Sequence, residues 1–157
     1  MENKIKKAGE VKFIENIELA LVDSTTGEVL EKEVISNTVV NSGLEIIAKL
    51  INGVVTDPFD VLAIGTGTTA PSISDTALET EVARAVATVS YEADYKAKYQ
   101  KTFSFGSGEA YDITELGIFD SATASGSNML NRVVFSAKSV DSQISLVVTG
   151  TITVARS

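Results

Sequence analysis

A two-residue alternation of apolar and polar side chains runs through almost the whole second half of the chain. It starts after Arg84 and recurs in segments that Gly, Ser, Asn or Asp residues separate: 85–91, 99–105, 111–119, 129–137 and 144–155. Successive side chains of a β-strand point to opposite faces, so each segment can lie with one face against a core. Strands in this number and at this spacing predict a mainly β fold, an antiparallel β-sandwich or a barrel-like domain.

The first quarter of the chain predicts an opening hairpin. A first strand runs from 11 to 24, the turn sequence Thr25-Thr26-Gly27 follows, and a more polar second strand covers 28–37. Two strand-like segments joined by a short turn with glycine are typical of a β-hairpin. The apolar positions of the first strand are Val11, Phe13, Ile17, Leu19 and Leu21.

One short α-helix is predicted at about 43–52. Ser42 and Glu45 have the spacing of a capping box, in which two side chains bond backbone amides at the start of a helix. Apolar residues follow at helical spacing, and we expect them to form one face packed on the core. These residues are Leu44, Ile47, Ala48 and Ile51.

The chain length of 157 residues fits one domain with a core of its own. We expect an N-terminal arm at 1–9 and a single β-rich domain over 10–157. Lys4, Lys6 and Lys7 form the one cationic cluster of the sequence, within that arm. Two interpretations are open: a solvated arm, or an attachment arm that docks on an acidic neighbour.

The amino-acid composition excludes several classes of function. The chain contains no Cys and no His, which excludes disulfides, thiolate chemistry, imidazole acid–base catalysis and the usual zinc ligands. Thirteen Lys and Arg against twenty-one Asp and Glu give a net charge of −8, so we expect no nucleic-acid partner. No apolar segment approaches the ~18 residues of a membrane span, and we expect no membrane partner and no secretory signal.

The stretch Gly65-Thr66-Gly67-Thr68-Thr69-Ala70 matches the glycine pattern of a dinucleotide-binding loop. That loop needs a helix to begin directly after it, whereas Pro71 follows here. We therefore interpret Gly65, Gly67 and Pro71 as a structural turn. We expect the glycines to adopt positive φ and to pack closely at the end of a strand. A helical turn is predicted next, at about 75–81.

Three carboxylates, Asp112, Glu115 and Asp120, lie close together in sequence and suggest a glycosidase-type pair. In a strand, Asp112 and Glu115 point to opposite faces, so no catalytic pair is predicted. We expect Glu115, among apolar neighbours, to be a buried structural carboxylate paired with Arg132 or Arg84.

A calcium site built from scattered aspartates is a further possibility, but the spacing is not that of a known calcium loop. The candidates are Asp57, Asp60, Asp75 and Asp94. The residues thus predict no catalytic, cofactor or metal site, and we do not expect an enzyme.

An ordered set of short motifs resembles a family of small structural proteins in the virions of tailed bacteriophages and prophages. The motifs occupy 37–44, 63–71, 75–81 with Arg84, 113–119 and 131–135. The resemblance implies a non-enzymatic assembly role in the virion, as a capsid-decoration, tail or fibre-associated component. It also implies homo-oligomers and contacts with other capsid or tail proteins, through the arm or an exposed strand edge.

The alternative is a carbohydrate- or receptor-binding module at the tip of a tail fibre. Such a module needs an exposed aromatic ring with amides or carboxylates nearby. Tyr95, Tyr99 and Asn128 are the candidate residues.

Overall fold

A computed structural model describes residues 9–157, so the predicted arm lysines Lys4, Lys6 and Lys7 lie outside the described residues. The described chain contains ten strands and one helix. In chain order they are β1 (Val11–Asp23), β2 (Val29–Ile35), β3 (Thr38–Val39), α1 (Asn41–Ile51), β4 (Val61–Gly65), β5 (Glu81–Val86), β6 (Thr88–Glu92), β7 (Lys96–Phe103), β8 (Ala110–Phe119), β9 (Met129–Asp141) and β10 (Ile144–Arg156). No helix within 9–157 is long and apolar enough to cross a membrane.

The strands form two five-stranded antiparallel sheets that pack face to face. The first sheet has the order β2-β1-β10-β7-β6, and the second has the order β3-β9-β8-β4-β5. Residues of both sheets meet in one buried cluster, with Leu19 and Leu146 from the first sheet and Leu62 and Leu116 from the second. The predicted mainly β, antiparallel sandwich is therefore confirmed.

Strand β4 is buried on both faces, which explains its unbroken apolar sequence. Leu62 and Ile64 face the cluster between the sheets. Val61 and Ala63 face the other way and join a second cluster that includes Phe119. Leu78, from the connection between β4 and β5, belongs to this second cluster, so the connection packs against β4 through its side chain.

The chain changes sheets at a single residue between β5 and β6. Strand β5 pairs with β4 in the second sheet, and β6 pairs with β7 at the edge of the first. Ala87 stands between them, and its amide donates a hydrogen bond of 2.7 Å to the carbonyl of Asp60. This corner carries β6 to an edge of the sandwich.

Helix α1 starts two residues earlier than predicted and lacks the predicted capping box. Val40 is the N-cap residue, and no side chain bonds the free amides there. The Ser42 hydroxyl instead donates to the carbonyl of Met129 at 2.9 Å, and Glu45 accepts a hydrogen bond from Lys49. Ser42 therefore links the helix to the first residue of β9.

The prediction for the buried face of α1 holds for Ile47, which packs against the core, and was wrong for the other three residues. Gly43 and Ile46 are its buried residues, whereas Leu44 is exposed and Ile51 is 83% exposed. A Cβ atom on Gly43 would lie 2.8 Å from the Cα of Leu130. The helix therefore approaches β9 through its glycine, and this contact turns most of the predicted apolar face outward.

Candidate functional site

Some of the residues singled out from the sequence, among them Gly67, Glu115 and Arg132, meet at the connection between β4 and β5, residues 66–80. Glu115 of β8 is fully buried beneath it. Its Oε1 accepts hydrogen bonds from the amides of Gly67 at 3.0 Å and Thr80 at 2.7 Å. Its Oε2 accepts one from the amide of Glu79 at 3.0 Å. One carboxylate thus satisfies three backbone amides, of which that of Gly67 is buried and those of Glu79 and Thr80 are part-buried. The helical turn predicted at 75–81 is wrong: 75–80 is irregular and β5 begins at Glu81.

Arg132 of β9 completes this buried network, which we call the Glu115 network. Its Nε donates to Oε2 of Glu115 at 3.0 Å, and its Nη1 donates to Asp75 at 2.9 Å. Burial alone would lower the pKa of Arg132, but Asp75 and Glu115 outweigh it, and the pKa is raised. Burial would likewise raise the pKa of Asp75, but the Ser72 amide and Arg132 outweigh it, and that pKa is lowered. Both groups therefore remain charged.

Gly65 and Gly67 are required for close packing and not for an unusual backbone. Neither residue is among the glycines with positive φ, so that part of the prediction was wrong. A Cβ atom on Gly67 would lie 2.5 Å from Oε1 of Glu115 and 2.5 Å from the Cβ of Glu79. The amide that a bound phosphate would need at Gly67 is already bonded to Glu115. Pro71, the third residue of the predicted turn, is half-buried in the same connection.

Arg84, the other predicted partner of Glu115, lies in a different set of contacts. Its guanidinium makes two hydrogen bonds of 2.8 Å to Glu81, and its Nη1 donates to the carbonyl of Ser121 at 2.8 Å. Its Cζ stands 4.0 Å from the centre of the Phe119 ring. Arg84 therefore fastens the connection between β8 and β9, and the structure assigns Arg132 to Glu115.

The remaining carboxylate candidates are bound separately. Asp112 accepts a hydrogen bond from Ser139 at 2.6 Å, while Asp120 accepts two from Asn128, at 2.7 and 2.6 Å. Among residues 9–157 there is no group of three or more acidic side chains placed to hold a metal ion. The four aspartates considered for calcium are therefore not assembled, since Asp75 belongs to the Glu115 network.

The candidates for glycan binding are not equivalent. Tyr99 is buried in the core cluster, so its ring cannot serve as an open stacking surface, and that part of the prediction was wrong. Asn128 is held by Asp120. Tyr95 is 71% exposed at the turn between β6 and β7.

Glu15 is a buried acidic residue that the sequence interpretation missed. It is 8% exposed, and its Oε2 accepts a hydrogen bond of 2.7 Å from the Nδ2 of Asn131. Burial raises its pKa to about 7, although Asn131 and Asn37 act in the opposite direction. The signal was present, since Glu15 lies between Phe13 and Ile17 on the alternating apolar face of β1.

Lys138 was also missed, and it joins the two sheets. Its side chain is buried, and its Nζ lies 2.5 Å from Glu31 and 2.6 Å from Glu33. Burial alone would lower the pKa of Lys138, but the two carboxylates outweigh it and raise the pKa. Because Lys138 belongs to β9 and both glutamates to β2, these ion pairs cover the inner side of one edge strand.

The opposite edge strand of the first sheet, β6, is exposed along its whole length. Val89 and Tyr91 are exposed apolar side chains on this strand, with Tyr91 at 73%. The following turn holds Asp94 at φ 65° and Tyr95 at φ 66°, both left-handed. A left-handed backbone conformation costs an L-residue other than glycine roughly 1–2 kcal/mol. The exposed Tyr95 therefore has an unfavourable backbone conformation at this turn.

Comparisons with protein-family models, curated proteins and solved structures find no match to this chain.

Proposed function

We propose that this protein is a non-enzymatic structural component of a tailed-phage virion that self-associates or docks on the capsid or tail surface. The ordered motifs described above support the proposal through the resemblance that they carry. The contacts of these motifs stabilise the fold. Four residues from different motifs meet in the Glu115 network, namely Gly67, Glu79, Glu115 and Arg132. Such a set of motifs is expected where a family shares a durable domain and no reaction.

The proposed association surface rests on one observation, the exposed edge strand β6. An edge strand offers unpaired backbone N–H and C=O groups to another chain, and proteins that avoid such pairing protect the edge with charges, prolines or bulges. Strand β6 contains one charged residue, Glu92, whose carboxylate lies 3.0 Å from Lys98. Its centre, with Val89 and Tyr91, has no such protection.

The other edge of the first sheet differs. Strand β2 has three charged residues in succession, Glu31, Lys32 and Glu33, and Lys138 covers its inner side. Charged side chains on an edge strand oppose pairing with another chain. We therefore place the self-association surface on β6 together with Tyr95, and we call it the β6 edge.

The test is a double substitution, Val89→Lys with Tyr91→Lys, which puts two like charges on the β6 edge. Charge repulsion should prevent edge pairing, so the variant should be a monomer by light scattering and should lose binding to particles that lack the protein. The matched control is Val34→Lys, at a 61% exposed position of β2, which should associate like the wild type. Unchanged association of the double variant would rule out the β6 edge.

Helix α1 offers a competing surface that the same experiment can separate. Its exposed apolar residues include Leu44 and Ile51, followed by the exposed Val54. Ile51→Lys should leave self-association unchanged if the β6 edge is the interface. Loss of association in this variant, with the β6 double variant unaffected, would assign the interface to the helix.

A carbohydrate- or receptor-binding module is the second candidate. The observation in its favour is that Tyr91 and Tyr95 are both exposed on one hairpin, where aromatic rings could stack on sugars. A glycan screen with the wild type and Tyr95→Ala tests it. Binding that depends on Tyr95 in a protein that stays monomeric would favour this candidate.

A further inference from the structure

A cavity of about 160 Å³ opens between the two sheets, apart from the Glu115 network. Its walls come from every layer of the fold: Phe13 and Ile152 from the first sheet, Leu130 from the second, Ile47 from α1, and Phe59 from the segment before β4. Apolar cavities of ~150 Å³ in proteins hold a molecule the size of benzene. The cavity thus has room for one small ring.

One carboxyl group interrupts this apolar lining. Glu15 lines the cavity and is nine-tenths buried. Asn131 fixes the carboxyl group on one side, and the Oδ1 of Asn131 in turn accepts the amide of Ile118 at 3.0 Å, so the donor cannot turn away. None of the ion pairs formed within residues 9–157 includes Glu15.

A buried carboxyl group without a cation is costly, because its charged form loses hydration and gains no ion pair. The buried acid Glu115 is compensated by Arg132 and by backbone amides, whereas Glu15, within the described chain, has only the neutral side chains of Asn131 and Asn37. Glutamine would fill the same space without this cost. An acid kept in an apolar cavity is a feature that stability does not explain, and such features concentrate at binding sites.

We propose that this cavity binds a small apolar primary amine, with Glu15 as the carboxylate that receives the ammonium group. The ring of the ligand would occupy the space among Phe13, Leu130 and Ile152. An ammonium group carries three hydrogen-bond donors. It also supplies the positive charge of an ion pair with the Glu15 carboxylate. The net charge of −8 also raises the concentration of cations near the protein.

The neighbouring groups favour a cation over an anion. Tyr99 lines the same cavity, and its pKa is raised by burial and by the negative charges of Glu15 and Asp60. A carboxylate or phosphate ligand would be repelled by the same charges. A neutral alcohol would fill the space but would leave the charge of Glu15 uncompensated.

The experiment is an amide NMR titration of the full chain with benzylamine and with benzyl alcohol, which have the same ring. At pH 8 Glu15 is charged, since its pKa is about 7, and benzylamine, a primary amine like the lysine side chain, is protonated. We expect benzylamine to bind at least about tenfold more tightly than benzyl alcohol, as for close ion pairs. The preference should shrink at pH 5, where Glu15 is neutral.

Three variants define the site. Glu15→Gln should abolish the preference for the amine, whereas Glu18→Gln, which removes the same charge from the same strand outside the cavity, should keep it. Val154→Phe, at the partly exposed rim of the cavity, should weaken the binding of both ligands. Any of four results would overturn the proposal. They are equal affinities for the two compounds at pH 8, a preference for the amine that survives Glu15→Gln, a preference that persists at pH 5, and no binding at millimolar concentrations. The pH series decides the question even if a variant fails to fold.

Discussion

Replacing Glu115 by glutamine should destabilise the fold strongly, although the side chain changes by one atom. Each carboxylate oxygen of Glu115 accepts two hydrogen bonds, from Gly67 and Thr80 at Oε1 and from Glu79 and Arg132 at Oε2. The amide group of glutamine puts a donor at one of these two positions. Whichever way it turns, two N–H groups face another donor.

The magnitude follows from these contacts. Each buried donor left without a partner costs about 1–3 kcal/mol, so two cost about 4 kcal/mol. Breaking a buried ion pair costs about 3–5 kcal/mol, which agrees with this figure. Small domains are stable by about 5–15 kcal/mol. Glu115→Gln should therefore remove a large part of the free energy of unfolding.

Urea unfolding of wild type and Glu115→Gln measures this loss directly. The matched control is Asp112→Asn on the same strand, where the exposed carboxylate accepts one hydrogen bond from Ser139 and the change should cost under about 1 kcal/mol. Hydrogen exchange should also show selective loss of protection at Gly67 and Thr80. A loss below about 1 kcal/mol for Glu115→Gln would refute the account of the Glu115 network.

The pH dependence of unfolding should change in Glu15→Gln. Because the folded pKa of Glu15 is raised from 4.5 to about 7, its contribution to stability is full below pH 4.5 and is lost as pH rises through 7. At 1.36 kcal/mol per pKa unit, this amounts to about 3 kcal/mol. The stability difference between wild type and variant should shift by that amount between pH 4.5 and 8 in urea unfolding, and a constant difference would contradict the assignment. Tyr95→Gly should raise the free energy of unfolding by about 1 kcal/mol, since glycine adopts positive φ freely, while weakening self-association; a destabilised variant would contradict the strain at this turn. Deleting residues 1–9 should weaken binding to particles that lack the protein and leave the thermal midpoint unchanged, and unchanged particle binding would exclude an attachment arm.

The strands were predictable because the side chains of a half-buried strand alternate between core and solvent, which gives the sequence a two-residue apolar period. The segment at 129–137 lies within β9, and the segment at 144–155 lies within β10, which ends at Arg156. The predicted first strand, 11–24, matches β1 to one residue. In β10 buried and less buried positions alternate because one face meets the core, whereas residues 129–133 of β9 are buried on both faces.

The helix and the Glu115 network could be predicted only in part. Periodicity located α1 but not its buried face, because Gly43, with no side chain to count, decides which side approaches β9. Apolar neighbours indicated that Glu115 is buried. They could not indicate the choice between Arg132 and Arg84, which depends on how β8 and β9 pair. Glu15 was missed because a polar residue on an apolar face was treated as a gap in the pattern.

The central claim is that the protein assembles with itself or with a phage particle. Light scattering of the full chain at two concentrations, with and without purified particles that lack it, tests this claim most directly. We predict a stable oligomer, a trimer or larger, or saturable binding to the particles. A protein that stays monomeric at both concentrations and does not bind the particles would contradict the claim.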